Sequence, residues 1–71
     1  MSVVNPRILF VTEKIRERRE FLNYTQEYVA HKLNISQNAY SKIECGHSSL
    51  NIERLLEIAL VLKADISHFL N

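Results

Sequence analysis

Apolar residues recur along this chain at helical spacing, in five stretches separated by short polar breaks. Ile8, Val11, Ile15 and Leu22 mark the first stretch, Val29, Ala30 and Leu33 the second, and Ala39, Tyr40 and Ile43 the third. Ile52, Leu55, Leu56, Ala59 and Leu62 form an inward stripe on the fourth, and Ile66, Phe69 and Leu70 belong to a short fifth. A residue suited to capping a helix N-terminus stands before each: Asn5, Thr25, Ser36, Asn51 and Asp65. Pro6, directly after Asn5, fits the first helical position. The pattern predicts helices over about residues 6–22, 26–33, 37–44 and 52–62, with a short one after Asp65.

The first helix has a rival reading. Ile8-Leu9-Phe10-Val11 is four apolar residues in a row, which also suits a short extended segment followed by a helix capped at Thr12. Residues 14–20 are helical in both readings, with Glu13/Arg16 and Arg16/Glu20 at pairing distances. Helix ends are marked by Asn23, Asn34 and Gly46, residue types that accept the left-handed conformation closing many helices. The second and third helices, joined by a turn of about three residues, have the size of a helix-turn-helix unit.

The third helix divides cleanly. Ala39, Tyr40 and Ile43 share one side, while Gln37, Asn38, Ser41 and Lys42 fall within roughly 140° on the other. Amide side chains pair with adenine edges, and Lys reaches guanine or phosphate, so this face is chemically suited to the DNA major groove. A plain solvent-facing helix is the bland alternative. The fourth helix is too apolar for one core: Ile58 and Val61 fall off its inward stripe and Leu60 sits on the far flank, which points to a covering partner. Self-association through the fourth and fifth helices, with Ile58, Val61 and Phe69 at a dimer interface, is the simplest expectation.

Composition narrows the class. The chain has 71 residues, with one Gly, one Pro and one Cys, which describes a single helix-rich domain over residues 1–71 with residues 1–5 as a mobile start. The lone Cys45 cannot form an internal disulfide and fits a reducing, cytoplasmic setting. No apolar run reaches bilayer-spanning length, and no secretion signal is evident at the N-terminus. His31, His47 and His68 are scattered, so neither a metal site nor a Cys/His nucleophile pair is expected, nor any other cofactor or enzymatic activity. Net charge is only +1, but residues 1–42 carry +3 and residues 43–71 carry −2. That imbalance suits a domain showing one face to a polyanion, with few phosphate contacts per chain.

The chain resembles the Cro/CI/Xre family of helix-turn-helix regulators over about residues 14–70. The resemblance rests on Ile15-Arg16 with Arg19, Tyr24-Thr25-Gln26-Glu27 with Ala30 and Leu33, and Ile35-Ser36-Gln37. It continues through Ser41-Lys42-Ile43-Glu44 with Gly46 and Leu55-Leu56-Glu57-Ile58-Ala59 with Leu62. Leu50-Asn51-Ile52 leading into a short C-terminal module is also similar to restriction-modification controller proteins.

The resemblance implies an all-α, five-helix, lambda-repressor-like domain that binds double-stranded DNA as a homodimer on a roughly palindromic operator. It implies base reading by Gln37, Asn38, Ser41 and Lys42. It places Ser36, His47 and Ser48 near the DNA backbone, and Gln26 on a phosphate while bracing the first reading residue. Arg19 and Glu44 match a structural ion pair. Family members often carry Gly at the positions of Asn23, Asn34 and Lys63, and a lysine there would be strained, so the fourth helix is expected to end differently. The reading helix has no Arg, which favours an A/T-leaning target. An antitoxin, or an interaction module docking another protein through the last two helices, is the alternative.

Overall fold

The computed structural model describes residues 5–47 and 50–71. Residues 1–4, within the expected mobile start, and Ser48, a candidate backbone contact, lie outside the described residues, as does Ser49. Five helices follow one another: α1 (Pro6–Phe21), α2 (Gln26–Lys32), α3 (Gln37–Glu44), α4 (Ile52–Val61) and α5 (Ser67–Leu70), with no strand among the described residues.

Local chemistry decides the ambiguous start in favour of one long helix. The Asn5 side chain accepts a hydrogen bond from the Arg7 N–H at 2.8 Å, and Pro6 supplies a pre-set φ at the first turn. Residues 8–11 are therefore helical, and Thr12 is a buried mid-helix residue whose hydroxyl donates to the Leu9 carbonyl at 3.2 Å. Thr25, Ser36 and Asn51 cap α2, α3 and α4, accepting from Tyr28, Ala39 and Arg54 N–H groups at 3.0, 3.0 and 2.8 Å. The fifth helix starts later than expected. Ile66 takes its cap position without a side-chain hydrogen bond, and Asp65 reaches the Ser67 N–H only at 3.4 Å.

One device ends the first four helices. Asn23, Asn34, Gly46 and Lys63 have φ of 60°, 63°, 76° and 55°. At each, two backbone N–H groups turn back onto the last turn, as in Asn23 to Glu20 and Tyr24 to Arg19, or Lys63 to Leu60 and Ala64 to Ala59. The expectation that α4 would end differently is thus corrected. Lys63 accepts the left-handed conformation because Arg18 of α1 holds the end from outside. Its Nε donates to the Leu62 carbonyl and its Nη2 to the Lys63 carbonyl, both at 3.0 Å. A guanidinium at a helix C-terminus satisfies free carbonyls and complements the helix dipole. The Arg18 Cζ stands 5.2 Å from the Phe21 ring centroid, which helps to orient the guanidinium. The expected Glu13/Arg16 and Arg16/Glu20 pairs do not form among the described residues; of the α1 charges, Arg18 and Arg19 reach other elements.

The core gathers Ile15 of α1, Val29 and Ala30 of α2, Tyr40 and Ile43 of α3, Leu55, Ile58 and Ala59 of α4, Leu62 and Phe69. α2 packs on α3 and α4, and α1 on α3 and α5. Two residues expected at a dimer interface are inside: Ile58 and Phe69 are both 0% exposed, so they have no surface to offer a partner. Conversely, Ile52 and Leu56, expected inside, are 63% and 47% exposed. The cause is a degeneracy in the pattern. Ile52-Leu55-Leu56-Ala59 and Leu55-Ile58-Ala59-Leu62 have the same helical spacing, and the second set is the one that meets the core.

Two substitutions report on the end of α4. Lys63→Gly removes the left-handed cost and is expected to stabilise the fold by about 1 kcal/mol. Arg18→Ala leaves two carbonyls without their charged donor and is expected to destabilise by about 1–2 kcal/mol. Urea denaturation of the three proteins measures both.

Candidate nucleic-acid interface

α3 is fixed by what it buries. Tyr40, Ile43 and Glu44 are buried on its inner side, and Ala39 is half-buried beside them. The side chains of Gln37, Asn38 and Lys42 consequently face outward and are exposed, with Ser41 half-buried. Ser36 is exposed, but its oxygen already caps α3, which leaves the hydroxyl hydrogen as its free donor. The His47 backbone N–H closes the far end of the helix onto the Lys42 carbonyl at 3.0 Å, and the residue is exposed. Four of the candidate residues thus share one helix face, with Ser36 and His47 flanking its two ends.

Gln26 joins this surface through a buried charge. Glu44, whose side chain is 3% exposed, accepts from Arg19 Nε at 2.7 Å through Oε2 and from Arg19 Nη2 at 3.1 Å through Oε1. The same Oε1 accepts from Gln26 Nε2 at 3.1 Å. Arg19 Nη1 also donates to the Tyr24 carbonyl at 2.9 Å, in the turn between α1 and α2. One carboxylate therefore ties α1, the start of α2 and the end of α3. The hydrogen bond of the Gln26 amide goes to Glu44, whereas the resemblance had implied a brace on the first reading residue, Gln37. No periodicity in the sequence signals this link, because it joins a half-buried helix start to a buried helix end.

The electrostatics follow from burial and pairing. Burial acts to raise the Glu44 carboxyl, but Arg19, followed by the neighbouring Tyr40 and Gln26, outweighs it and holds the group below the ordinary carboxylate value. The hydrogen bond to Glu44 raises the Arg19 guanidinium further above its already high value. Tyr40 lies beside this pair. Burial pushes its phenol well above the usual tyrosine value, and its hydroxyl has no hydrogen-bond partner among the described residues. The described residues of this face offer amides, two hydroxyls and one ammonium for hydrogen bonding. Among the described residues no three His, Cys, Asp or Glu side chains cluster to hold a metal ion, and no helix is long and apolar enough to cross a membrane.

Comparison with known proteins agrees with this geometry. A helix-turn-helix family model of the Cro/CI/Xre type matches residues 15–69, and the chain belongs to that family of DNA-binding regulators. No curated protein and no solved structure matches it significantly.

The ion pair makes stability depend on acid. Because the folded carboxyl of Glu44 lies below its unfolded value, its contribution is complete above the ordinary carboxylate range and is lost as pH falls through the folded value. Glu44→Gln leaves Arg19 partly buried without its counter-charge and is expected to destabilise by about 3 kcal/mol at pH 7. The gap from the parent protein is expected to narrow below about pH 4. Thermal unfolding at pH 7 and pH 3 measures it.

Proposed function

We propose that this protein is a sequence-specific transcriptional regulator that binds double-stranded DNA as a homodimer on a roughly palindromic operator. The observation that carries the reading is the division of α3, whose inner side is locked by Tyr40, Ile43 and Glu44 while Gln37, Asn38, Ser41 and Lys42 share its outer side. Two copies set their α3 helices into successive major grooves about one helical turn apart. Gln37 and Asn38 read adenine edges, Ser41 and Lys42 complete the base contacts, and Ser36, His47 and Ser48 meet the backbone. Gln26 contacts a phosphate. The protein works in the cytoplasm without cofactor, metal or catalysis.

The dimer surface is the outward row Ile52-Leu56-Leu60 of α4, with half-exposed Val61 at its edge. Leu60 is 81% exposed and borders a groove of about 380 Å³ with Leu56, Ala59, Ala64, Asp65 and Ile66. On its other side lie Tyr24, Tyr28, Lys32 and Lys63. A second copy suits this surface: each Leu60 enters the other's groove, and the lysine flank of one copy meets Asp65 of the other. The same apolar row supports the alternative of a different protein partner, as an antitoxin or interaction module would have.

Selection from random duplex DNA at moderate salt tests the reading, with fragments from restriction-modification promoters added because of the controller-like C-terminal module. A palindromic motif bound by two chains is expected, with binding that weakens steeply as salt rises. Gln37→Ala is expected to relax base preference at one position per half-site by about 1–3 kcal/mol. Leu60→Glu is expected to reduce the complex from two chains per operator to one, read by sedimentation. Sequence-blind binding would remove the regulator reading, and an unchanged stoichiometry would remove the α4 surface.

A further inference from the structure

We infer that Glu44 is a positioning residue for DNA binding, acting through Gln26 as well as holding the fold. The inference rests on the reading above in which Gln26 meets the DNA backbone. An ionised carboxylate only accepts hydrogen bonds, so its contact with Gln26 at 3.1 Å dictates which end of the amide faces inward. The NH2 group turns towards Glu44 and spends one hydrogen there. Its second hydrogen and the carbonyl oxygen remain for a ligand in a fixed arrangement. Glutamine normally keeps several rotamers at a helix start, and freezing them is a cost that binding would otherwise bear.

Three features make the hold firm. Glu44 is itself immobilised by two hydrogen bonds from Arg19, and its side chain is 3% exposed. Arg19 is in turn fixed by its bond to the Tyr24 carbonyl, two residues before Gln26. Gln26 is half-buried at the first position of α2, so its backbone is placed by the same turn. Arg19, Glu44 and Gln26 therefore form one chain from the interior to the surface. The direction of the effect is specific: Glu44 alters affinity for all DNA sequences alike, because an amide on a phosphate reads no base.

The test is a double-mutant cycle on DNA affinity with Glu44→Gln, Gln26→Ala and both changes together. Binding to the operator and to an unrelated duplex is measured at a temperature where circular dichroism shows every variant folded. Glu44→Gln is expected to weaken both complexes about three- to tenfold. In the Gln26→Ala background it is expected to cause no further loss of affinity, although its loss of thermal stability persists. An equal affinity loss in both backgrounds would show that Glu44 acts only through the fold and would overturn the inference. If Gln26→Ala leaves affinity unchanged, both the inference and the Gln26 contact fall, while a Gln37→Ala effect on base preference would still uphold the reading helix. The parent protein gives an independent measurement should Glu44→Gln not fold. The Gln26 side-chain amide is expected to show ¹⁵N relaxation as ordered as the backbone, and mobility like that of the exposed Gln37 amide would overturn the inference.

Discussion

The Arg19–Glu44 pair is the constraint on which the rest of the structure depends. Glu44 is the last residue of α3 and Arg19 lies in the last turn of α1, so their contact sets the distance and angle between α1 and the second helix of the helix-turn-helix. A buried carboxylate is costly to desolvate, and only a full set of donors makes it tolerable. Arg19 supplies two and Gln26 one. The pair is therefore poor as a source of net stability and good as a source of uniqueness. An apolar contact at the same place would let α3 slide or rotate, whereas three hydrogen bonds on two oxygens admit one arrangement. Tyr40, buried beside the pair, adds its ring to the core one turn earlier on the same helix.

Much of this was legible in the sequence, for reasons that are local. Caps are short-range chemistry, and Thr25, Ser36 and Asn51 act where their side chains reach an N–H a few residues ahead. The left-handed closures at Asn23, Asn34 and Gly46 are equally local, since their residue types tolerate the conformation. The division of α3 was readable because its polar and apolar residues separate without overlap. Lys63 was misjudged because what makes its conformation acceptable is Arg18, distant in sequence and adjacent only in the fold.

The rotation of α4 shows where periodicity runs out. A helix with apolar residues at two overlapping sets of positions has two faces that could each face inward, and spacing ranks neither. What selects between them is tertiary: Ile58, Leu62 and Phe69 close the same core as Ile15 of α1, and that choice exposes Ile52, Leu56 and Leu60. The inference that α4 has apolar surface to spare was sound, and Leu60 and Val61 lie on that surface, but Ile58 is in the core and Ile52 and Leu56 take its place outside. Excess hydrophobicity counts residues and does not orient them. The Gln26–Glu44 link was hidden for a related reason, as two polar residues distant in sequence meet only once the start of α2 has packed against the end of α3.

A chain with a net charge of +1 and a single lysine among its outward α3 residues has little long-range attraction for a polyanion. Under the proposed reading, affinity must then come from short-range hydrogen bonds, which are worth most when donors are already in position. This gives the buried network and the exposed row on α4 a common logic. The network removes the ordering cost from each half-site, and pairing two copies makes the second half-site an intramolecular event. A strongly basic domain would need neither, because non-specific attraction would hold it on DNA whatever the angle of its reading helix. Weak charge thus shifts the burden from electrostatics to geometry, and the part of that geometry the buried network supplies is a held Gln26 amide at the start of α2.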